Sequence, residues 1–133
     1  MAVKLSIRTG TGSELVDITS PVQDVIKQTA AKEGICLLFV PHTTAGLTLN
    51  ENWDPAVRDD ILHALERIAP YHGPYRHAEG NSAAHIKATL CGFDAQLLIH
   101  EGQLVLGAWQ GIYLAEFDGP RERSVWVHVT PSD

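Results

Sequence analysis

The stretch Ile35-Cys36-Leu37-Leu38-Phe39-Val40 is apolar throughout and ends at Pro41. An uninterrupted apolar run predicts a central β-strand that is covered on both faces. The residues before it have the pattern of a helix that begins at Ser20 and Pro21 and ends at Gly34. We therefore expect a sheet centred on this strand, with helices and further strands around it.

The other elements are predicted outward from this strand. Toward the N-terminus, residues 3–9 and 15–19 predict the two strands of a hairpin. Toward the C-terminus the chain predicts a short strand, two helices and four strands, at residues 47–50, 54–68, 81–92, 95–100, 103–106, 111–116 and 124–130. The order β-β-α-β-β-α-α-β-β-β-β predicts an α+β fold, with mainly antiparallel β-sheets packed as a sandwich, in one domain over residues 1–133.

Composition excludes some classes of function. The chain has 133 residues and a formal net charge of −6, which opposes nucleic-acid binding because that needs a basic surface. No apolar run approaches the roughly 18 residues of a membrane span. Cys36 and Cys91 each look like a small buried thiol, which favours the cytoplasm. Only 20% of the residues are charged, so part of the surface is expected to be neutral or buried against another subunit.

Three histidines lie beside small residues in two short segments, residues 41–52 and 76–85. His42 follows the central strand, where open sites commonly form. The hydroxyls of Thr43 and Thr44 and the backbone N–H groups of this turn suit an anion such as phosphate. The alternative is an ordinary turn in which the threonines bond to the backbone. We expect His42 to be functional.

The second segment suggests a metal site. Asn81 and His85 are four residues apart and share one face of the predicted helix, while His77 lies in the loop before it. His77 and His85 can converge on one divalent ion with His42 as a third ligand, which with a water makes an open zinc site. We take His42, Asn81 and His85 as candidate catalytic residues. The alternatives are a solvated loop side chain for His77 and a core histidine for His85.

Five further residues complete the candidate site. Glu51 can orient a histidine or act as an acid or base. The ring of Trp109 can stack on an aromatic ligand, and the amide of Gln110 can hydrogen-bond to the edge of that ligand. Asp118 and Arg121 lie in a rigid turn, where the guanidinium group can fork onto a phosphate. The alternatives are a solvated carboxylate for Glu51, core packing for Trp109 and a surface ion pair for Arg121.

Taken in order, these motifs resemble the YjbQ family over nearly the whole chain. The motifs are His42–Asn52, Glu79–Ala88, Gly107–Ile112 and Glu116–Arg121. The resemblance implies a compact α+β fold with packed β-sheets, assembled as a homotrimer with clefts between subunits. It also implies a weak, secondary thiamine-phosphate synthase activity and a bound metal ion, zinc, held by His42, His77 and His85.

That activity joins a pyrimidinylmethyl diphosphate to a thiazole phosphate, with loss of pyrophosphate. The Thr-rich turn, Arg121 and a metal ion can clamp the phosphates, and Trp109 can stack on a ring. Two classes of function remain open on the sequence. One is a small cytoplasmic enzyme with this type of activity. The other is a noncatalytic protein that binds a metal ion or a phosphorylated metabolite.

Overall fold

The computed structural model describes residues 2–132. Within that range the chain forms eight strands and three helices, in the order expected from the sequence. They are β1 (Ala2–Arg8), β2 (Glu14–Asp17), α1 (Thr19–Thr29), β3 (Glu33–Phe39), β4 (Ala45–Glu51), α2 (Pro55–Ile68), α3 (Ser82–Cys91), β5 (Asp94–His100), β6 (Gln103–Leu104), β7 (Gln110–Glu116) and β8 (Glu122–Pro131). None of these helices has the length and apolar character needed to cross a membrane.

The strands form two antiparallel sheets, which confirms the predicted α+β class. The five-stranded sheet has the order β1-β8-β3-β5-β6, and the three-stranded sheet has the order β2-β7-β4. The β5–β6 hairpin turns at Glu101 and Gly102, whose φ angles are +52° and +78°. Positive φ at both central residues is what the commonest two-residue hairpin turn requires.

The prediction that the first two strands pair with each other is wrong. Strand β1 pairs with β8 in one sheet, and β2 pairs with β7 in the other. The intervening turn is held from the opposite end of the chain, because Thr9 N–H donates to Arg121 O and Gly119 N–H donates to Gly12 O. The turn therefore carries the chain from one sheet to the other instead of closing a hairpin.

The first helix is shorter than predicted. It begins at Thr19, whose backbone N–H donates to Asp17 Oδ1 at 2.9 Å, so Ser20 is not its N-cap. It ends at Thr29, and Ala30 takes the left-handed conformation with φ +57°. Gly34 belongs to β3, where an added Cβ would lie 2.3 Å from Thr130 O. The close packing of β3 against β8 therefore explains why residue 34 is a glycine, and this glycine does not end the helix.

Two apolar cores lie on the two faces of the three-stranded sheet. The first core fills the space between the sheets and includes α1. The second lies between the three-stranded sheet and helices α2 and α3. Ile112 and Leu114 of β7 face the first core, and Tyr113 and Ala115 face the second. Strand β7 is therefore covered on both faces.

The prediction that the apolar run at residues 35–40 is covered on both faces is wrong for the single chain. Cys36 and Leu38 are fully buried, but Ile35, Leu37 and Phe39 are 36–45% exposed on the other face of β3. Leu98 lies directly opposite Ile35, and Trp126 lies directly opposite Phe39. We call these five side chains, Ile35, Leu37, Phe39, Leu98 and Trp126, the outer apolar face. Only another molecule could bury that face, and the hydrophobic periodicity of one chain carries no information about such a contact.

Candidate functional site

A cavity of about 560 Å³ opens where β3 ends. The strand ends at Phe39, and Pro41 and His42 lie in the loop that follows it. The lining residues are Phe39, Val40, Pro41, His42, Thr43, Thr44, Phe93, Arg121 and Arg123. We call this the first cavity. Its lining combines aromatic side chains with hydrogen-bond donors.

A second cavity of about 410 Å³ shares Thr43, Thr44 and Arg121 with the first. Its other lining residues are Tyr71, Glu79, Asn81, His85 and Asp118. The structure thus brings seven of the candidate residues to two adjoining cavities: His42, Thr43, Thr44, Asn81, His85, Asp118 and Arg121. These residues come from three separate parts of the chain.

Asp118 fixes the orientation of Arg121. Arg121 Nε donates to the backbone oxygen of Asp118 at 2.8 Å, and Arg121 Nη2 lies 3.1 Å from Asp118 Oδ2. Asn81 Nδ2 donates to the same carboxylate oxygen at 2.9 Å, which ties the start of α3 to this turn. One edge of the guanidinium group is therefore occupied, while Nη1 has no partner among residues 2–132 and the side chain is 49% exposed.

A buried ion pair that the sequence analysis missed supports the first cavity. Arg123 Nε donates to Glu116 Oε2 at 2.8 Å, and Arg123 Nη2 donates to Glu116 Oε1 at 2.5 Å. Arg123 Nη2 also donates to Thr44 Oγ1 at 2.8 Å. Thr9 Oγ1 and Asp118 N–H donate to the same carboxylate, each at 2.9 Å. Glu116 therefore holds Arg123, and with it Thr44, in place.

Electrostatics keep Glu116 ionised. Burial alone raises its pKa, but hydrogen bonds from Arg123, the Asp118 N–H and Thr9 outweigh that effect and hold the pKa below its usual value. The sequence did contain a signal for this pair. Arg123 occupies the inward position of β8 that Val125 and Val127 continue, and a charged residue at such a position needs a buried partner.

His42 is held by β8. Ser124 N–H donates to His42 Nε2 at 2.9 Å. Burial and the positive charges of Arg123 and Arg121 lower the pKa of His42, against the opposite effect of Glu116. The ring is therefore neutral near pH 7.

The two other candidate histidines form a separate pair. The rings of His77 and His85 make an edge-to-face contact with centroids 5.4 Å apart. His77 Nε2 lies 3.7 Å from Glu79 Oε2. Both histidines line a third cavity to which His42 does not belong.

The expected three-histidine metal site does not form within one chain. In the part of the chain that the structure describes, no group of three His, Cys, Asp or Glu side chains is placed to hold a metal ion. His42 lines the first cavity with its Nε2 lone pair already engaged, His77 lines the third, and His85 lines both the second and the third. Zinc binding therefore stays a prediction.

Glu51, Trp109 and Gln110 lie at the opposite end of β4. Glu51 pairs with Gln110 at the end of that strand, whereas Ala45 at its start adjoins the Thr-rich turn. The two ends of this seven-residue strand are about 20 Å apart. The structure therefore does not bring these three residues to the cavities of their own chain.

Each of the three has a local partner there. Gly107 N–H donates to Gln110 Oε1 at 2.7 Å, and Asp54 N–H donates to Glu51 Oε2 at 3.3 Å. Trp109 makes an edge-to-face contact with Trp53, with ring centroids 5.9 Å apart. Trp109 is 58% exposed, so core packing does not explain it.

Comparison with known proteins identifies the family. Residues 3–132 match the family described as UPF0047 protein YjbQ-like. The chain belongs to this family. It is 46% identical to the UPF0047 protein MJ1081 of Methanocaldococcus jannaschii over 129 residues, which covers 97% of this chain and 94% of that one. It is 43% identical to the UPF0047 protein YugU of Bacillus subtilis over 130 residues, covering 97% and 98%.

Solved structures of the YjbQ-like family confirm the fold. A family member from Clostridium acetobutylicum matches with a TM-score of 0.94 and 47% identity, covering 96% of this chain and 99% of that one. A protein of unknown function from Sulfolobus solfataricus matches with a TM-score of 0.95 and 35% identity, covering 99% and 97%. The family descriptions name no reaction, so chemistry has to be argued from the cavities.

Proposed function

We propose that this YjbQ-like protein binds a phosphorylated small molecule in the first cavity. One observation carries the proposal: two guanidinium groups face this cavity, each with donors to spare. Arg123 as a whole is only 3% exposed. Its Nη1 atom has no hydrogen-bond partner among residues 2–132, and because it is not buried it can donate to a ligand. Arg121 Nη1 is free in the same sense, and the planar fork of arginine matches phosphate oxygens.

The aromatic side chains in the lining of the cavity favour a ligand that also carries a ring. Phe39 and Phe93 line the same volume of about 560 Å³ as the arginines, a size typical of small-molecule sites. An aromatic wall beside fixed donors suits a heteroaromatic phosphate. Phe39 and Phe93 would then stack on the ring of the ligand, which is the role that the sequence suggested for Trp109.

Calorimetric titration with thiamine phosphate and with inorganic pyrophosphate tests this proposal. Arg121→Lys keeps the charge but loses the planar fork, and we expect it to weaken binding by about 1–3 kcal/mol, a factor of about 5 to 150 in Kd. Arg8→Lys is the matched control, because Arg8 is 68% exposed and lines neither cavity. Equal affinity of wild type and Arg121→Lys would remove Arg121 from the site.

Thiamine-phosphate synthase-type activity is the second candidate, and the aromatic wall next to the arginines favours it. Such an enzyme has to bind a pyrimidine ring and hold two phosphorylated substrates close together. Purified protein is incubated with the pyrimidinylmethyl diphosphate and the thiazole phosphate, and product is followed by chromatography. An enzyme loses turnover in His42→Ala while its melting temperature persists, whereas a noncatalytic binder gives no product above the rate in buffer. Elemental analysis of the same preparation tests for zinc.

We also propose that the protein assembles as a homotrimer in the cytoplasm. The outer apolar face supports assembly, because contiguous exposed apolar side chains of this size are unusual on a monomer. Light scattering at micromolar concentration should give three times the chain mass of 14.5 kDa, and a monomer mass would contradict the proposal. Cys36 and Cys91 are both free, as we expect for a cytoplasmic protein, and imaging of a fluorescent fusion tests that location.

A further inference from the structure

The hydrogen bond from β8 determines which nitrogen of His42 carries a proton. Ser124 N–H donates to Nε2, so Nε2 must present its lone pair. An imidazolium ring would instead place an N–H against the Ser124 N–H. A ring in this contact is therefore neutral and carries its single proton on Nδ1.

The other nitrogen, Nδ1, is accessible. Nδ1 has no hydrogen-bond partner among residues 2–132. It is also not buried, unlike Asn81 Oδ1, which is both buried and unpaired. His42 and the two arginines line the first cavity, so we infer that the accessible Nδ1–H group points into it.

We propose that His42 serves the first cavity as a neutral Nδ1–H donor to an oxygen of the bound ligand, and that it neither binds a metal ion nor accepts a proton there. A metal ion or a proton needs a lone pair, and the only lone pair of this ring is held by Ser124 N–H. The inference rests on the proposed ligand-binding function and assigns His42 a definite part in it. It replaces the two roles that the sequence suggested for this residue.

Nuclear magnetic resonance of the histidine rings tests the tautomer without any activity. Two-bond ¹H–¹⁵N correlation spectra of the wild-type protein distinguish a protonated Nδ1 from a protonated Nε2. The His42 signals are those missing from the His42→Gln variant. We expect protonation at Nδ1, with His42 signals unchanged by added zinc ions. Protonation at Nε2, or a zinc-induced shift of the His42 nitrogens, overturns the inference.

A pair of amide variants tests the donor role. Asn places its amide near the position of Nδ1, and Gln places its amide near the position of Nε2. In titrations with inorganic pyrophosphate we expect His42→Asn to stay within about threefold of wild type and His42→Gln to lose about tenfold or more, the scale of one hydrogen bond to a charged group. Equal losses in two variants that both melt near the wild-type temperature overturn the donor role.

The failure of this inference is distinguishable from failure of the proposed function. If wild type binds pyrophosphate but His42 is protonated on Nε2, the inference fails and ligand binding stands. If wild type binds neither pyrophosphate nor thiamine phosphate, the proposed function fails and the donor role falls with it. Should His42→Asn not fold, the wild-type spectra still decide the tautomer.

Discussion

Replacement of Glu116 by Gln should be among the most damaging conservative changes in this protein. Glu116 is 0% exposed and accepts from Thr9, from the Asp118 N–H and twice from Arg123. A Gln amide has one oxygen, so whichever way it points, its NH₂ group faces donors. Arg123, which is 3% exposed, also loses its counter-charge. Breaking a buried ion pair in this way costs about 3–5 kcal/mol, out of a total stability of about 5–15 kcal/mol.

Urea unfolding followed by circular dichroism measures the effect of Glu116→Gln. A double variant, Glu116→Leu with Arg123→Met, leaves no buried charge and should recover most of the lost stability. Arg8→Gln breaks the exposed pair with Glu122, in which both side chains are more than half exposed, and should change stability by less than about 1 kcal/mol. A loss below about 1 kcal/mol in Glu116→Gln would refute the reasoning, as would a double variant no more stable than the single one.

The same carboxylate gives an acid dependence with a definite sign. The pKa of Glu116 is lowered in the folded state from its ordinary value of 4.5. Its contribution to stability is therefore complete above that ordinary value and is lost as the pH falls through the folded-state value. As the pH falls from neutral into the acid range, the free energy of unfolding of Glu116→Gln should consequently decrease less than that of the wild type.

Two further predictions concern packing. Gly46→Ala should destabilise the fold by about 1–3 kcal/mol, because an added Cβ would lie 2.6 Å from Gly92 O; Gly10→Ala, whose nearest neighbour is at 3.8 Å, is the control in the same urea titration. Leu37→Lys should shift the mass found by light scattering toward the monomer, because it places a charge in the outer apolar face, whereas Ile68→Lys on α2, where Ile68 is 66% exposed, should not.

Local patterns predicted the elements well and their partners poorly. Gly92 does follow α3, and Asp54 and Pro55 do begin α2, because caps and turn residues act within a few positions. The pairing of β1 with β8 joins residues more than a hundred positions apart, such as Leu5 and Val125. No local signal distinguishes that pairing from a hairpin between β1 and β2.

The residues of the candidate site were likewise predicted well one by one and less well as a group. The turn that begins at His42 and the turn that contains Arg121 were each predicted to bind phosphate, and His42 and Arg121 do line one cavity. Trp109 and Glu51 have similar local surroundings but lie at the far end of β4. The Glu116–Arg123 pair escaped notice because burial of a charge is decided by tertiary contacts. The only indication in the sequence was the inward position of Arg123 on β8.

The charges around the first cavity indicate how it would hold an anion. Glu116 compensates Arg123, Asp118 compensates Arg121, and His42 is neutral. The cavity therefore offers many directed donors with little net positive charge, which a chain of net charge −6 can maintain locally. Binding of this kind depends on the fit of oxygens to fixed N–H groups more than on long-range attraction, which salt screens. Selectivity among phosphorylated ligands would then follow from their shape, and Glu116 would act on it through the position of Arg123.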